Sequence, residues 1–145
     1  MIDVAKFLGT WRLVSWTIPD EGGVPRHPLG SDAKGLLSYA PDGYMFAALM
    51  ASGRPRFLGG DPLGGTAEEC RAATHGYHTY CGRYRLEKDA VVHTVELSLF
   101  PNLIGQEQVR YYRFDGDRLL LSTPPLLRNG LSGVAQLVWE RVRHD

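Results

Sequence analysis

An all-β fold, eight antiparallel strands running up and down and closing into a barrel, is what this sequence predicts, and three observations carry that expectation. Across the 145 residues the apolar side chains recur mostly with a period of two, the spacing of strands and not of helices. Turn signals such as Pro41-Asp42-Gly43, Glu87-Lys88-Asp89 and Asp115-Gly116-Asp117 link the alternating runs at hairpin distance. One segment carries a clear helix start: Thr66-Ala67-Glu68-Glu69 has the form of a capping box and opens a short helix over about 67–77. A cone-shaped α+β alternative would need long N-terminal helices, which this chain lacks. Closing eight strands removes the exposed edges and leaves an interior wide enough for side chains or one small ligand.

In chain order, residues 2–8 read as a short helical turn. GTWRLVSWTI at 9–18 is a first strand whose two faces, Trp11/Leu13/Ser15/Thr17 and Arg12/Val14/Trp16/Ile18, are both partly covered. Residues 19–33 are dense in Gly and Pro and read as a long loop. KGLLSYA and YMFAALM then pair across the Pro-Asp-Gly turn, where Pro fixes φ and Gly tolerates a positive one. After a loop at 51–65 and the capped helix, strands are expected at 80–86, 90–100, 106–114 and 118–123. A loop at 124–133 leads to a last strand, VAQLVWERV, at 134–142. The loops 19–33, 51–65 and 124–133 are expected to gather at an open mouth. Gly59-Gly60 and Gly64-Gly65, flanking Asp61-Pro62-Leu63, read as a mobile lid.

Composition narrows the function classes. Sixteen basic and sixteen acidic residues cancel, which removes the long-range field that phosphate-backbone binding depends on, so nucleic acid is not an expected partner. No run approaches the roughly 18 apolar residues of a membrane helix, and MIDVAKFLGTW lacks the layout of an export signal. With 43% hydrophobic and 22% charged residues the chain is expected to fold as one domain over 1–145. Cys70 and Cys81 have neither disulfide density nor metal-knuckle spacing and read as free thiols in a cytoplasmic protein. His75 and His78 lie three apart, but no third ligand follows at metal-site spacing, so neither a metal nor another cofactor is expected.

The residues with chemistry to offer sit on strands, where parity decides what faces inward. On 90–100 the inward set is expected to be Val91, His93, Val95 and Leu97, placing His93 among aliphatic neighbours, more often as a satisfied core or rim residue than as an acid or base titrating near neutrality. On 106–114 both parities are mixed. If Gln106, Gln108, Arg110, Tyr112 and Phe114 face in, Gln108, Arg110 and Tyr112 make a polar stripe suited to a carbonyl or carboxylate; otherwise they form a solvated outer face. On 80–86 the aromatic side, Tyr80 and Tyr84, is expected inside, with Tyr39, Tyr44 and Phe46 of the first hairpin adding to the same lining.

Gly9-Thr10-Trp11, at the start of the first strand after a helical turn, resembles the G-x-W signature of lipocalin and calycin barrels. Together with YCGRY at 80–84, HTVELSLFPNLIGQEQVR at 93–110, GDRLLLSTPP at 116–125 and LVWERV at 137–142, it makes nearly the whole chain similar to the bacterial and fungal lipocalin-like domain family. The resemblance implies a lipocalin-like barrel, and some members of that family appear near secondary-metabolite pathways. It also implies that Trp11 packs at the closed end under an arginine of the last strand, for which Arg141 is the match, in a cation–π contact of roughly 0.5–2 kcal/mol. The resulting expectation is a small-molecule binder: the partner is a small, largely apolar or aromatic metabolite, with a homodimer left open. The alternative is a cofactor-free cyclase or isomerase acting on a biosynthetic intermediate in the same cavity, with His93 as acid or base and Arg110 and Tyr112 polarising a carbonyl. A packed barrel serving protein contacts is a third reading.

Overall fold

The computed structural model describes residues 3–128 and 131–143. A single 3-10 turn, Val4–Lys6, leads into β1 (Gly9–Pro19), and a two-residue strand β2 (Pro25–Arg26) pairs with the end of β1. Then follow β3 (Lys34–Tyr39), β4 (Tyr44–Met50), the helix α1 (Ala67–His75), β5 (Tyr77–Leu86), β6 (Ala90–Ser98), a 3-10 turn at Pro101–Leu103, β7 (Glu107–Asp115), β8 (Arg118–Arg128) and β9 (Leu131–Arg141). All pairings are antiparallel between neighbours, and β9 returns to β1, closing an eight-stranded barrel with β2 as an extra strand. The helix starts at the expected box: Thr66 Oγ1 accepts from the Glu69 N–H at 3.1 Å, and the Glu69 carboxylate accepts from Thr66 N–H at 2.9 Å. Its other oxygen accepts from Leu58 N–H at 2.9 Å, tying the 51–65 loop to the helix start. These bonds hold the Glu69 carboxyl below the usual range, backbone donation from Thr66 contributing most.

Three bulges set the parity inside the barrel. On β1 the register steps from Leu13↔Trp139 to Ser15↔Val138, so Val14 is an extra residue. That is why Trp11 and Leu13 on one parity and Trp16 and Ile18 on the other are all buried. On β6 the pairs Gly82↔Val95 and Cys81↔Leu97 make Glu96 the extra residue, and Leu97, expected inside by strict alternation, is 67% exposed. On β8 the step from Ser122↔Gln136 to Pro125↔Val134 accommodates Pro124, which cannot donate to the ladder. Buried Thr123 fills the gap with its Oγ1, accepting from Ala135 N–H at 3.0 Å. The stretch 124–133, expected as a loop, is therefore strand, save 129–130, which lie outside the described residues. The double proline had suggested a loop, but a bulge absorbs it.

One end of the barrel is plugged by aromatics. Phe7, fully buried, meets Tyr39, Tyr112 and Phe114 edge-on, with ring centroids 5.7, 4.8 and 4.9 Å away. Trp11 donates its Nε1–H to Phe7 O at 2.9 Å. Arg141, directly opposite Trp11 in the β1–β9 ladder, lays its guanidinium 4.2 Å from the Trp11 ring centroid. The same group donates to Leu8 O at 2.7 Å and Lys6 O at 2.5 Å. It thereby satisfies carbonyls that the short 3-10 turn leaves without partners. Arg141→Met keeps the packing volume but removes both donations, and is expected to cost about 1.5 kcal/mol of stability, read as a lower midpoint in urea unfolding with an unchanged slope.

Candidate functional site

Above the aromatic plug the barrel is not filled. A cavity of about 180 Å³ is walled by apolar side chains from five strands, among them Trp16, Leu37, Leu49, Leu121, Leu137 and Trp139. Polar groups enter from β5, β6, β7 and β8: His78, Tyr80, His93, Gln108, Arg110 and Thr123. Phe100 and Leu103, on the link between β6 and β7, also line it. Phe100 is 49% exposed and lies where the space meets solvent.

The floor is built around His93, which is 2% exposed. Its Nε2 lies 2.8 Å from the hydroxyl of Tyr39, and its Nδ1 lies 2.6 Å from the hydroxyl of Tyr80. Burial, reinforced by the nearby Arg110 charge, pushes the imidazole well below its ordinary range, so His93 is neutral and carries one ring proton. The hydrogen-bond inventory decides which nitrogen holds it. Tyr39 is buried and finds no acceptor other than His93 Nε2 among the described residues; were Nε2 protonated, the Tyr39 hydroxyl proton would be stranded. Tyr39 therefore donates to Nε2, Nδ1–H donates to Tyr80 Oη, and the Tyr80 proton is left to point elsewhere. Burial raises both phenols, Tyr39 the more strongly, so both are protonated donors at neutral pH. The Arg110 guanidinium lies against the Tyr80 hydroxyl and opposes part of that rise.

The sequence-predicted residues fall into three groups. Tyr80, His93, Gln108 and Arg110 converge on the cavity, which settles the parity of β7: Gln108, Arg110, Tyr112 and Phe114 face inward. Tyr39, Tyr84 and Tyr112 belong to the plug below. Tyr84 packs on Tyr39 at 4.9 Å and donates to Ala40 O at 2.8 Å, while Tyr112 lies on Phe7 and donates to Lys88 O at 3.2 Å. Of these three, only Tyr39 reaches the floor, through its hydroxyl. Tyr44 and Phe46 are not in the interior. The register Tyr39↔Met45 puts Met45, Ala47 and Leu49 inside, so Phe46 is 55% exposed and Tyr44 packs its ring under Arg83, 4.9 Å away, on the outer face. His93 is a satisfied core histidine, and burial takes it away from the titration near neutrality that suits an acid or base. With both ring nitrogens bound by tyrosines, it presents no free nitrogen to the cavity and reaches a ligand through Tyr80.

Trp16, His78, Thr123 and Trp139 are cavity residues the sequence did not single out. Trp16 and Thr123 lie beside bulges that hide their parity. His78 sits in the first turn of β5, three residues earlier than the strand was expected to begin, and stacks between Trp16 and Tyr80 at 6.2 and 5.7 Å. The alternation of Ala135, Leu137, Trp139 and Arg141 on β9 was a usable signal for Trp139. Its indole N–H is buried with no hydrogen-bond partner among the described residues.

Comparison with known proteins agrees with the architecture. The family described as "lipocalin-like domain" matches residues 8–142. The chain belongs to that family. Within it, the lipocalin-like barrel is 36% identical over 107 residues to the 4'-hydroxy-3'-methoxypropiophenone carrier protein ppsC of Aspergillus oryzae (strain ATCC 42149 / RIB 40), an alignment covering 68% of this chain and 96% of that protein. Among solved structures it is similar to a protein of Bacteroides eggerthii DSM 20697, with a TM-score of 0.47 and 13% identity, covering 94% of this chain and 99% of that one. Among the described residues of the barrel, no helix is long and apolar enough to cross a membrane.

Proposed function

We propose that this lipocalin-like barrel is a carrier for a small, largely apolar aromatic molecule, held in the cavity above the Tyr39–His93–Tyr80 floor and handled as an intermediate of secondary metabolism. The observation that carries the reading is the cavity itself. A space of about 180 Å³ between two tryptophans, with hydrogen-bonding groups confined to one region, has the make-up of a ligand pocket. An apolar cavity of roughly 150 Å³ already admits a benzene ring, so this one suits a single substituted ring and excludes a steroid or a long acyl chain. The relative's name, a carrier of an aryl ketone of that size, supports the same ligand class. The polar floor adds direction: Tyr80 offers a proton to an acceptor such as a ketone oxygen.

The test is a calorimetric titration with 4'-hydroxy-3'-methoxypropiophenone, followed in parallel by quenching of Trp16 and Trp139. One-to-one saturable binding is expected, and the ligand is expected to be recovered unchanged. Ala135→Phe places a ring into the cavity from β9 without touching the polar floor, and is expected to weaken binding at least tenfold while the barrel stays folded. Undiminished binding by this variant, or no binding of any single-ring aryl ketone to the wild-type protein, would exclude the cavity as the carrier site.

A further inference from the structure

The cavity contains a charge that the barrel itself does not neutralise. Arg110 points inward from β7, is half-buried, and lines the cavity. Its guanidinium donates to Val109 O at 2.9 Å and lies near enough to the Tyr80 hydroxyl to act on its ionisation. Among the described residues it has no carboxylate partner; the ion pairs of this side of the barrel, Arg85 with Glu87 and Glu107, lie on the outer face. Every element packed around Arg110 can be surveyed for a counter-charge. β3 contributes Tyr39, β5 contributes His78, Tyr80 and Tyr84, and β6 contributes His93, while β1, β4, β8 and β9 line the cavity with uncharged side chains. Among the described residues no aspartate or glutamate lines the cavity. A guanidinium held in a partly desolvated space with no carboxylate beside it among the described residues is unfavourable in the empty protein and becomes favourable when a ligand brings the opposite charge. Its planar fork is suited to a flat oxyanion, and the Tyr80 proton, directed away from His93 by the tautomer, supplies a further donor at the same point.

We propose that the cavity takes its ligand as an aromatic oxyanion, its negative oxygen set against Arg110 and Tyr80 and its ring between Trp16 and Trp139. This rests on the carrier reading above and specifies the ionisation state that the site selects. A phenol conjugated through its ring to a carbonyl meets the requirement, because the acyl group spreads the phenolate charge and lets the phenol ionise near neutral pH; an aromatic carboxylate meets it through the same chemistry. Simple hydrocarbons and neutral ethers of equal size leave Arg110 unanswered and are bound less well.

The experiment uses the whole protein and 4'-hydroxy-3'-methoxypropiophenone as probe, since conversion of such a phenol to its phenolate moves its ultraviolet absorption to longer wavelength. The bound probe is titrated with acid and base alongside the free one. The expected result is a bound phenol that ionises at least one pH unit lower than in water, which corresponds to tenfold tighter binding of the anion than of the neutral form. The analogue in which a methyl group replaces the 4'-hydroxyl should bind at least tenfold more weakly at pH 8, and benzoate should bind where benzamide does not. Arg110→Met should abolish the shift and with it the preference for the phenol over the methyl analogue. Should that variant fail to fold, the wild-type titration and the two analogue comparisons decide the matter without it. A bound phenol that ionises at its solution value or higher, or a methyl analogue that binds equally well, would overturn the inference while leaving the carrier reading intact. Absence of binding by every one of these ring compounds would overturn both.

Discussion

Gly82→Ala is expected to destabilise the barrel by about 3 kcal/mol or more. Gly82 sits on β5 opposite the bulge at Glu96, and the extra residue swings the β6 backbone toward it. A Cβ on Gly82 would lie 1.9 Å from Thr94 O and 2.9 Å from Glu96 N, both main-chain atoms that cannot rotate aside. The methyl can be accommodated only by parting the β5–β6 ladder at the point where it carries Tyr80 and His93. Urea unfolding of the variant should show the lost stability, and loss of the tryptophan quenching by ligand should accompany it. A variant within 0.5 kcal/mol of wild type would mean that the bulge is not fixed as described.

Acid should destabilise the wild-type barrel through His93 before its carboxylates protonate. The folded imidazole is held well below the ordinary range, by burial first and by Arg110 second, while in the unfolded chain it returns to about 6.5. Above that value both states are neutral and the group has no influence on stability with pH. As pH falls below 6.5 the unfolded chain takes up a proton that the folded one refuses, so stability is lost toward the lower folded value at up to about 1.4 kcal/mol per pH unit. His93→Gln retains a donor and an acceptor but does not titrate. Its stability profile should be flatter than that of wild type below pH 6.5, and both should share the later carboxylate loss. Parallel profiles would show that His93 is not held neutral in the fold.

Much of this architecture was legible in the residues. The period of two, the hairpin turns and the Thr66–Glu69 box predict eight strands and one helix because each is a local signal. On β6 the inward position of His93 follows from alternation alone. What alternation cannot reveal is an inserted residue, and two bulges cost a correct assignment: Leu97 past Glu96, and the strand through Pro124 and Pro125; on β1 the reading of two partly covered faces holds, with the bulge at Val14 as its cause. On β4 the two parities are equally apolar, Tyr44, Phe46 and Ala48 against Met45, Ala47 and Leu49. The side facing the cavity is fixed only by pairing Tyr39 with Met45 across the turn. The division between plug and cavity was also hidden. Tyr84 and Tyr112 share the inward parity of Tyr80 and Arg110 but lie lower in the barrel, and height along the axis depends on the shear of the whole closed sheet.

If the cavity above His93 is a ligand site with a defined orientation, a crystal structure of the barrel with 4'-hydroxy-3'-methoxypropiophenone will show it. The predicted result is one ring between Trp16 and Trp139, with its ionised oxygen about 3 Å from Tyr80 Oη and the Arg110 guanidinium. A ligand seated on the outer face or against the 51–65 loop, with the cavity above His93 still open, would contradict it.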